Sequence, residues 1–312
     1  MFKKILFATT GSPDCDDAAR YAFELANKLK STLYVYHVYG TPSHGFSHFV
    51  INLKTGEKET ISEDDEKLVT EEIKKVYAEY LEKHKDTLIE SKIGSPSTEI
   101  LRKIKKEQVD LLIMGAHQQI KDTKALRYRN VIGGTMQKVA KSARCPVFII
   151  SRPYEKHLWN LENILLGTDL TKSCMPAFRF ALKFAKENNC KLHLFHALEI
   201  GGQPYGRIPS QIEVEEKIEA AKLKLKEIYE PELEGYDNVE MIVWEGIPYV
   251  EILKYAREKD VDLIAMAHHT GSIFQQKDVL GNTTEEVVLR SSCPVASVNR
   301  MDVLEDYSAF LS

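Results

Sequence analysis

The sequence predicts two α/β domains in tandem, each built on a doubly wound parallel sheet. Three observations carry that prediction. The chain repeats itself in order: Lys4-Ile5-Leu6-Phe7-Ala8-Thr9-Thr10 returns as Asn163-Ile164-Leu165-Leu166-Gly167-Thr168-Asp169, Asp110–His117 returns as Asp262–His269, and Cys145-Pro146-Val147 returns as Cys293-Pro294-Val295. Within each copy, short apolar runs alternate with segments of helical period, the pattern of βα units. Finally, 312 residues are too many for one typical core and suit two of about 150. The expected boundaries are a first domain at 1–152, a linker at 153–162, a second domain at 163–300 and a tail at 301–312.

Each half opens with an apolar strand, Ile5–Ala8 and Ile164–Leu166, followed by a Thr-rich turn. A helix comes next, with Ala18, Ala19, Ala22, Leu25, Ala26 and Leu29 at helical spacing in one copy and Ala177, Phe180, Ala181, Phe184 and Ala185 in the other. Ile5, Ala22 and His37 stand at a constant offset of 159 from Ile164, Ala181 and His196. The second strands are Leu33–Val38 and Leu192–Ala197. The copies then diverge: a polar insert over 39–62 and a Gly/Pro-rich stretch over 201–209 both read as loops. Charged amphipathic helices are expected at about 63–84 and 211–230, then third strands at Thr87–Lys92 and Val239–Val243. Gly94-Ser95-Pro96 and Gly246-Ile247-Pro248 turn the chain into further helices. The fourth strands, Leu111–Met114 and Leu263–Met266, are continuously apolar, as strands covered on both faces are. A last helix leads to fifth strands at Val147–Ile150 and Val295–Val298.

Composition narrows the function classes. A hydrophobic fraction of 43% with 28% charged residues is ordinary for a soluble globular protein. A net charge of −4 gives nonspecific nucleic-acid binding no electrostatic support. No apolar run reaches the length of a membrane span, and the N-terminal apolar stretch stops at Thr9-Thr10-Gly11, too short for a signal peptide. Five scattered cysteines without a C-x-x-C pair point to a reducing, cytoplasmic setting. Cys145 and Cys293 read as small core residues.

Several side-chain groups invite chemistry and have a plainer explanation. His117 and His268-His269 follow buried strands, but no third or fourth metal ligand stands at a suitable spacing, so no metal is expected. His44 and His48 lie in the insert and read as surface or interface residues; His37 and His196 read as packing residues at the ends of the second strands. Ser12, Thr171 and Ser173 sit where they cap the first helix of each half, and Lys103, Lys105 and Lys106 read as a solvated, charge-balanced face. The G-x-S-x-G elbow, the P-loop and a G-x-G-x-x-G after the first strand are all absent, so no catalytic residue is named.

The Lys-Ile-Leu-x-x-Thr opening, the strand ending in His37-Val38, the Asp-Leu-Leu-Ile-Met-Gly-Ala-His segment and the closing Cys-Pro-Val resemble the universal stress protein family, in two copies that cover almost the whole chain. That resemblance implies two flavodoxin-like domains, each with a five-stranded parallel sheet. It also implies a stress-response role, ATP in some members and none in others, and Mg²⁺ as a possible companion of ATP. Two halves packed through their last strands, as a pseudo-dimer within one chain, and further association into a homodimer are implied as well. The binding members resemble a pattern of Thr-Asp after the first strand, then Gly-x-x-Gly, about nine residues, and Gly-Ser/Thr. Such a site has independent physical sense. Open parallel sheets take ligands at the carboxyl ends of their strands, where the strand order reverses, and a helix N-terminus there offers N–H groups to phosphate.

By that pattern the second half is the expected nucleotide site, formed by Gly167, Thr168, Asp169, Ala197, Met266, Ala267, His269, Thr270, Gly281, Asn282, Thr283 and Thr284. It departs from the pattern at Ala267 and Thr270, where glycines would stand, and at Asn282. The first half supplies secondary candidates in Thr9, Thr10, Val38, Met114, Gly115, His117, Gly133, Gly134 and Thr135. There Thr10 replaces the carboxylate, and the segment 119–132 is longer than the pattern and rich in Lys and Arg. A competing reading needs no ligand: Asn282-x-x-Glu285 and Thr283-x-x-Glu286 are capping signatures that explain this segment as a helix start. Three functions therefore stay open. They are a non-catalytic ATP-binding regulatory module with an unknown protein partner, a nucleotide-free interaction module, and a slow ATPase.

Overall fold

A computed structural model describes residues 2–12, 15–39, 49–51, 58–60, 63–120, 129–153, 161–199, 210–267 and 282–299. The chain forms two compact units and passes from one to the other between Phe148 and Ile149.

The first half runs β1 (Lys4–Thr9), α1 (Asp16–Leu29), β2 (Thr32–Tyr39), β3 (Phe49–Ile51), β4 (Lys58–Thr60), α2 (Glu63–Val76), α3 (Ala78–Lys83), β5 (Thr87–Ile93), α4 (Pro96–Glu107), β6 (Leu111–Gly115), β7 (His117–Ile120), β8 (Arg129–Ile132), α5 (Gly134–Ser142) and β9 (Val147–Ile150). Five of these strands make one sheet in the order β9-β6-β1-β2-β5. The β1–β2, β1–β6 and β2–β5 pairs are parallel. Counted within the half, the order is 3-2-1-4-5, so the chain reverses direction across the sheet between β1 and β6. Ile5 to Thr9 are all buried, as the apolar pattern requires of a strand covered on both sides. On one face Phe23 of α1 stacks on Tyr80 at 4.9 Å and tilts against Tyr77 at 5.9 Å. α4 and α5 pack beside each other.

The second half repeats the plan with β10 (Asn163–Gly167), α6 (Met175–Asn188), β11 (Lys191–Leu198), α7 (Gln211–Tyr229), β12 (Val239–Glu245), α8 (Pro248–Glu258), β13 (Leu263–Met266), α9 (Asn282–Arg290) and β14 (Val295–Ser297). Its strands follow the order β12-β11-β10-β13-β14, again 3-2-1-4-5 and again parallel. Each half is thus the doubly wound sheet that the repeats predict, with the flavodoxin-like α/β layering that the resemblance implies.

One carboxylate in each half pins the sheet. Asp110 Oδ2 accepts from the Lys3 and Lys4 N–H groups at 2.8 and 2.9 Å, and Asp262 Oδ2 accepts from Glu162 and Asn163 N–H at 2.7 and 3.0 Å. Both aspartates are buried. They tie the start of the fourth strand to the start of the first, which explains why Asp-Leu opens both copies of that segment. The Gly-x-Pro turns also match: Gly94 and Gly246 have φ of 155° and 146°, where an added Cβ would meet Glu99 Cγ at 2.9 Å or Glu251 Cγ at 2.7 Å.

Four expectations need correction. The insert over 39–62 is not all loop, because Phe49–Ile51 and Lys58–Thr60 pair antiparallel. The segment 119–132 likewise contributes to the antiparallel pair β7–β8, with His117 opposite Ile132. The helix expected at 63–84 is broken at Tyr77, whose ring turns into the core against Phe7 at 5.8 Å. Lys103 is not part of a solvated face. It is buried, its Nζ lies over the Tyr34 and Tyr36 rings, and it is held by Glu90 at 2.5 Å and Glu107 at 3.2 Å. A lysine can bury its stem when both partners and the ring faces satisfy the ammonium. Cys145 and Cys293 are the buried core residues expected of them.

Candidate functional site

The strand order places the reversal of the second half between the carboxyl ends of β10 and β13, the position where open α/β sheets take ligands. A cleft of about 230 Å³ lies there, lined by Gly167, Thr168, Asp169, Cys174, His196, Ala197, Pro248, Ile252, Met266, Ala267, Thr283 and Thr284. That is room for a small organic ligand rather than for one or two waters of about 30 Å³ each. Gly167 to Asp169, Ala197, Met266, Ala267, Thr283 and Thr284 are thus brought together from four elements far apart in sequence. Predicted residues His269, Thr270 and Gly281 lie outside the described residues, as does the side chain of Asn282. Sequence reasoning missed Cys174, Pro248 and Ile252 as lining residues, and read His196 as packing.

The floor of the cleft follows from side-chain size. A Cβ on Gly167 would stand 3.2 Å from Ile252 Cδ1 and 3.6 Å from Met266 Cε. Gly167 therefore leaves open a space that an alanine would begin to fill. Ile252 sits one turn into α8, behind Pro248 at the helix start, and is buried. Pro248, Ile252, Met266 and Ala197 give the cleft an apolar wall suited to a flat, hydrophobic group. Thr283 and Thr284 bring hydroxyls from the first turn of α9, where a helix presents N–H groups without internal partners.

The turn leaving β10 is held from several sides. Thr168 Oγ1 accepts from Leu170 N–H at 3.0 Å and shares a hydrogen bond with Tyr229 Oη at 2.5 Å. His196 Nδ1 donates to the Thr168 carbonyl at 2.8 Å. His196 thus does more than pack: it ties the end of β11 to the end of β10 at the cleft wall. Tyr229 is fully buried at the end of α7, and burial pushes its phenol well above the usual range, so the hydroxyl stays protonated. Leu170 has φ of 60°, a left-handed conformation that costs an L residue about 1 kcal/mol.

Asp169 is ordered by the same turn. Its Oδ1 accepts from Thr171 N–H at 2.9 Å, Thr171 Oγ1 at 2.6 Å and Cys174 Sγ at 3.0 Å. Burial pushes the Cys174 thiol up to about 11, so at neutral pH it keeps its proton and serves as a donor. Thr171 and Ser173 were expected to cap helix α6. Instead the helix is entered through a single 3₁₀ turn, Lys172–Cys174, without a side-chain cap, and Thr171 turns to Asp169. Helix α1 also lacks a side-chain cap.

The first half builds the same turn with other residues. Thr9 Oγ1 accepts from Gly11 N–H at 2.9 Å and meets Tyr77 Oη at 2.6 Å, and His37 Nδ1 donates to the Thr9 carbonyl at 2.9 Å. Thr10 stands in the place of Asp169, with its Oγ1 at 2.6 Å from Ser12 Oγ and 3.2 Å from Cys15 Sγ. Ser12, expected as a cap, is drawn into that contact. Ala8 and Val38 replace Gly167 and Ala197. At the third position of the last helix, Met136 replaces Thr284 and is buried. Met114 is buried and Gly115 ends β6, while Gly133, Gly134 and Thr135 open α5, with open space around both glycines. The side chain of His117 lies outside the described residues. Among the described residues, no three His, Cys, Asp or Glu side chains form a metal-holding group, and no helix is long and apolar enough to cross a membrane.

Known proteins share this architecture. A model of the universal stress protein family matches residues 1–151 and again residues 160–299. A universal stress protein of Methanocaldococcus jannaschii is 26% identical over 159 residues, which make up 49% of this chain and 84% of that protein. A second one from the same organism is 40% identical over 83 residues, 26% of this chain and 50% of that protein. A universal stress protein from Archaeoglobus fulgidus, of known crystal structure, has a TM-score of 0.63 at 20% identity and covers 96% of this chain and 97% of its own.

Proposed function

Because the chain belongs to the universal stress protein family over both of its repeats, we propose that it is a stress-response module whose second half binds an adenine nucleotide, ATP, as a conformational ligand. The observation that carries this reading is the cleft between β10 and β13, where an ordered carboxylate, an apolar wall and a helix N-terminus face one space. Each part suits one part of a nucleotide. Asp169 accepts hydrogen bonds from ribose hydroxyls or the base edge. Met266, Ala197 and Ile252 take the flat base, and the start of α9 with Thr283 and Thr284 takes phosphate oxygens. Mg²⁺ would enter with the phosphates. In this reading the nucleotide bridges the turn after β10 and the start of α9, and a protein partner recognises the bound form; no step of hydrolysis is assigned. The cytoplasm is the proposed setting, on the ground that all five cysteines are free, buried thiols.

Calorimetric titration with ATP and Mg²⁺, paired with a melting curve, tests the reading. Saturation and a raised Tm are expected, since a ligand present at about a hundred times its Kd adds about 2.7 kcal/mol of stability. No heat and no shift in Tm at millimolar ATP would leave the nucleotide-free interaction module in its place.

A further inference from the structure

The two halves share a clasp that the nucleotide motifs do not contain. A threonine at the end of the first strand meets the hydroxyl of a buried tyrosine from the charged helix before the third strand, Thr168 with Tyr229 and Thr9 with Tyr77. In both halves that tyrosine lies where the regular helix stops: α2 ends at Val76 and α7 at Tyr229. In both, the same threonine oxygen holds the N–H of the residue two places on, Leu170 or Gly11.

The two clasps hold different loads. Gly11 takes φ of 71° and Leu170 takes φ of 60°. Glycine occupies that region without steric cost, and leucine does not. Both turns carry the threonine bond, but only in the second half does it offset a strained residue, so there the aim of Thr168 Oγ1 at Leu170 N–H matters more. Tyr229 fixes that aim. Asp169 lies between Thr168 and Leu170, so its carboxylate moves if Leu170 relaxes to negative φ. We infer that Tyr229 is a positioning residue for nucleotide binding, holding Asp169 in the cleft through Thr168 and the strained Leu170, and that Tyr77 is its structural twin without that role. The inference rests on the second half being the nucleotide site.

The twin supplies the control. Tyr229→Phe and Tyr77→Phe each remove one buried hydroxyl contact and keep the ring packed, so their losses of stability should be similar. Titrated with ATP, the full chain carrying Tyr229→Phe should bind about fivefold to tenfold more weakly, the effect of one hydrogen bond. Tyr77→Phe should bind as the unaltered chain does. Adding Leu170→Gly to Tyr229→Phe copies the unstrained first-half turn and should restore most of the lost affinity, which a purely structural role for Tyr229 does not predict. Equal affinity of the two Phe variants, or no rescue by glycine, would overturn the inference. If the unaltered chain itself binds no ATP, the functional reading fails instead, and the two failures are told apart by that first titration.

Discussion

The turns Thr9-Thr10-Gly11 and Thr168-Asp169-Leu170 share their hydrogen bonds and a left-handed third residue but differ in chemistry. Both begin with a threonine clasped by a tyrosine and a histidine, and both pass through a left-handed residue. One offers a hydroxyl, with Ala8, Val38 and Met136 at the positions that correspond to the other's floor. The other offers an ordered carboxylate over a floor opened by Gly167, Ala197 and Thr284. Duplication kept what builds the sheet and let the cleft diverge. The first half relieved its turn with glycine and carries larger residues at the matching positions, while the second kept strain and open space. Strain and open space cost stability and persist where a site uses them.

The largest expected effects lie where the halves agree. Asp110→Ala and Asp262→Ala each strip two part-buried N–H groups of their buried acceptor, so each should cost about 3 kcal/mol in denaturant unfolding. A loss in one half only would mean that the repeats are not built alike. A smaller difference separates the halves in acid. His193 is buried between Tyr255 Oη at 2.8 Å and Asn163 Oδ1 at 3.1 Å, with Glu240 at 3.7 Å and Lys191 and Lys259 nearby. Burial holds it neutral and lowers its pKa to about 4. Its folded value lies below the ordinary one of about 6.5, so the unfolded chain takes up the proton first. The contribution is complete above about pH 6.5 and is lost as pH falls toward about 4, by at most about 3 kcal/mol. Tyr34 fills that position in the first half. His193→Gln should therefore flatten the acid limb of a stability–pH curve, and an unchanged slope would remove His193 from the account.

Exchanging cleft residues between the halves tests the comparison at the site itself. Asp169→Thr should weaken ATP by about 2 kcal/mol, the scale of a hydrogen bond to a charged group. Gly167→Ala with Thr284→Met should narrow the cleft and cost about 1 kcal/mol of affinity, since overfilling a packed space costs about that much or more. Cys174→Ser keeps a donor to Asp169 and should change little, whereas Cys174→Val should lower affinity by a few tenths of a kcal/mol up to about 1. Titration of each variant orders these effects, and a Ser variant weaker than the Val variant would contradict the assigned role of the thiol.

Much of this was legible in the sequence for a physical reason. Strands buried on both faces need continuous apolar runs, so Leu111–Met114 and Leu263–Met266 announced themselves. A ligand cleft at a sheet's reversal point needs small residues and polar groups at strand ends, so Asp169 stood out against Thr10, and Gly167 and Thr284 were named beside it, though their contrast with Ala8 and Met136 emerged only with the fold. Ile252 and Pro248 did not, because an apolar wall uses the same helical spacing as a core. Lys103 hid for the opposite reason: its burial depends on Tyr34, Tyr36 and Glu90, all distant in sequence. The clasp was also invisible, since nothing local links Tyr229 to Thr168. The triplet Phe49-Val50-Ile51 was a strand signal masked by the glycines around it.

The central claim is that one scaffold carries one competent nucleotide site, in the second half. Native mass spectrometry of the full chain with ATP counts bound nucleotides directly. With ATP near the Kd of the unaltered chain, the account predicts one ATP per chain, largely lost in Asp169→Thr and kept in Thr10→Ala. Two ATP per chain, or one that survives Asp169→Thr and disappears in Thr10→Ala, would contradict it.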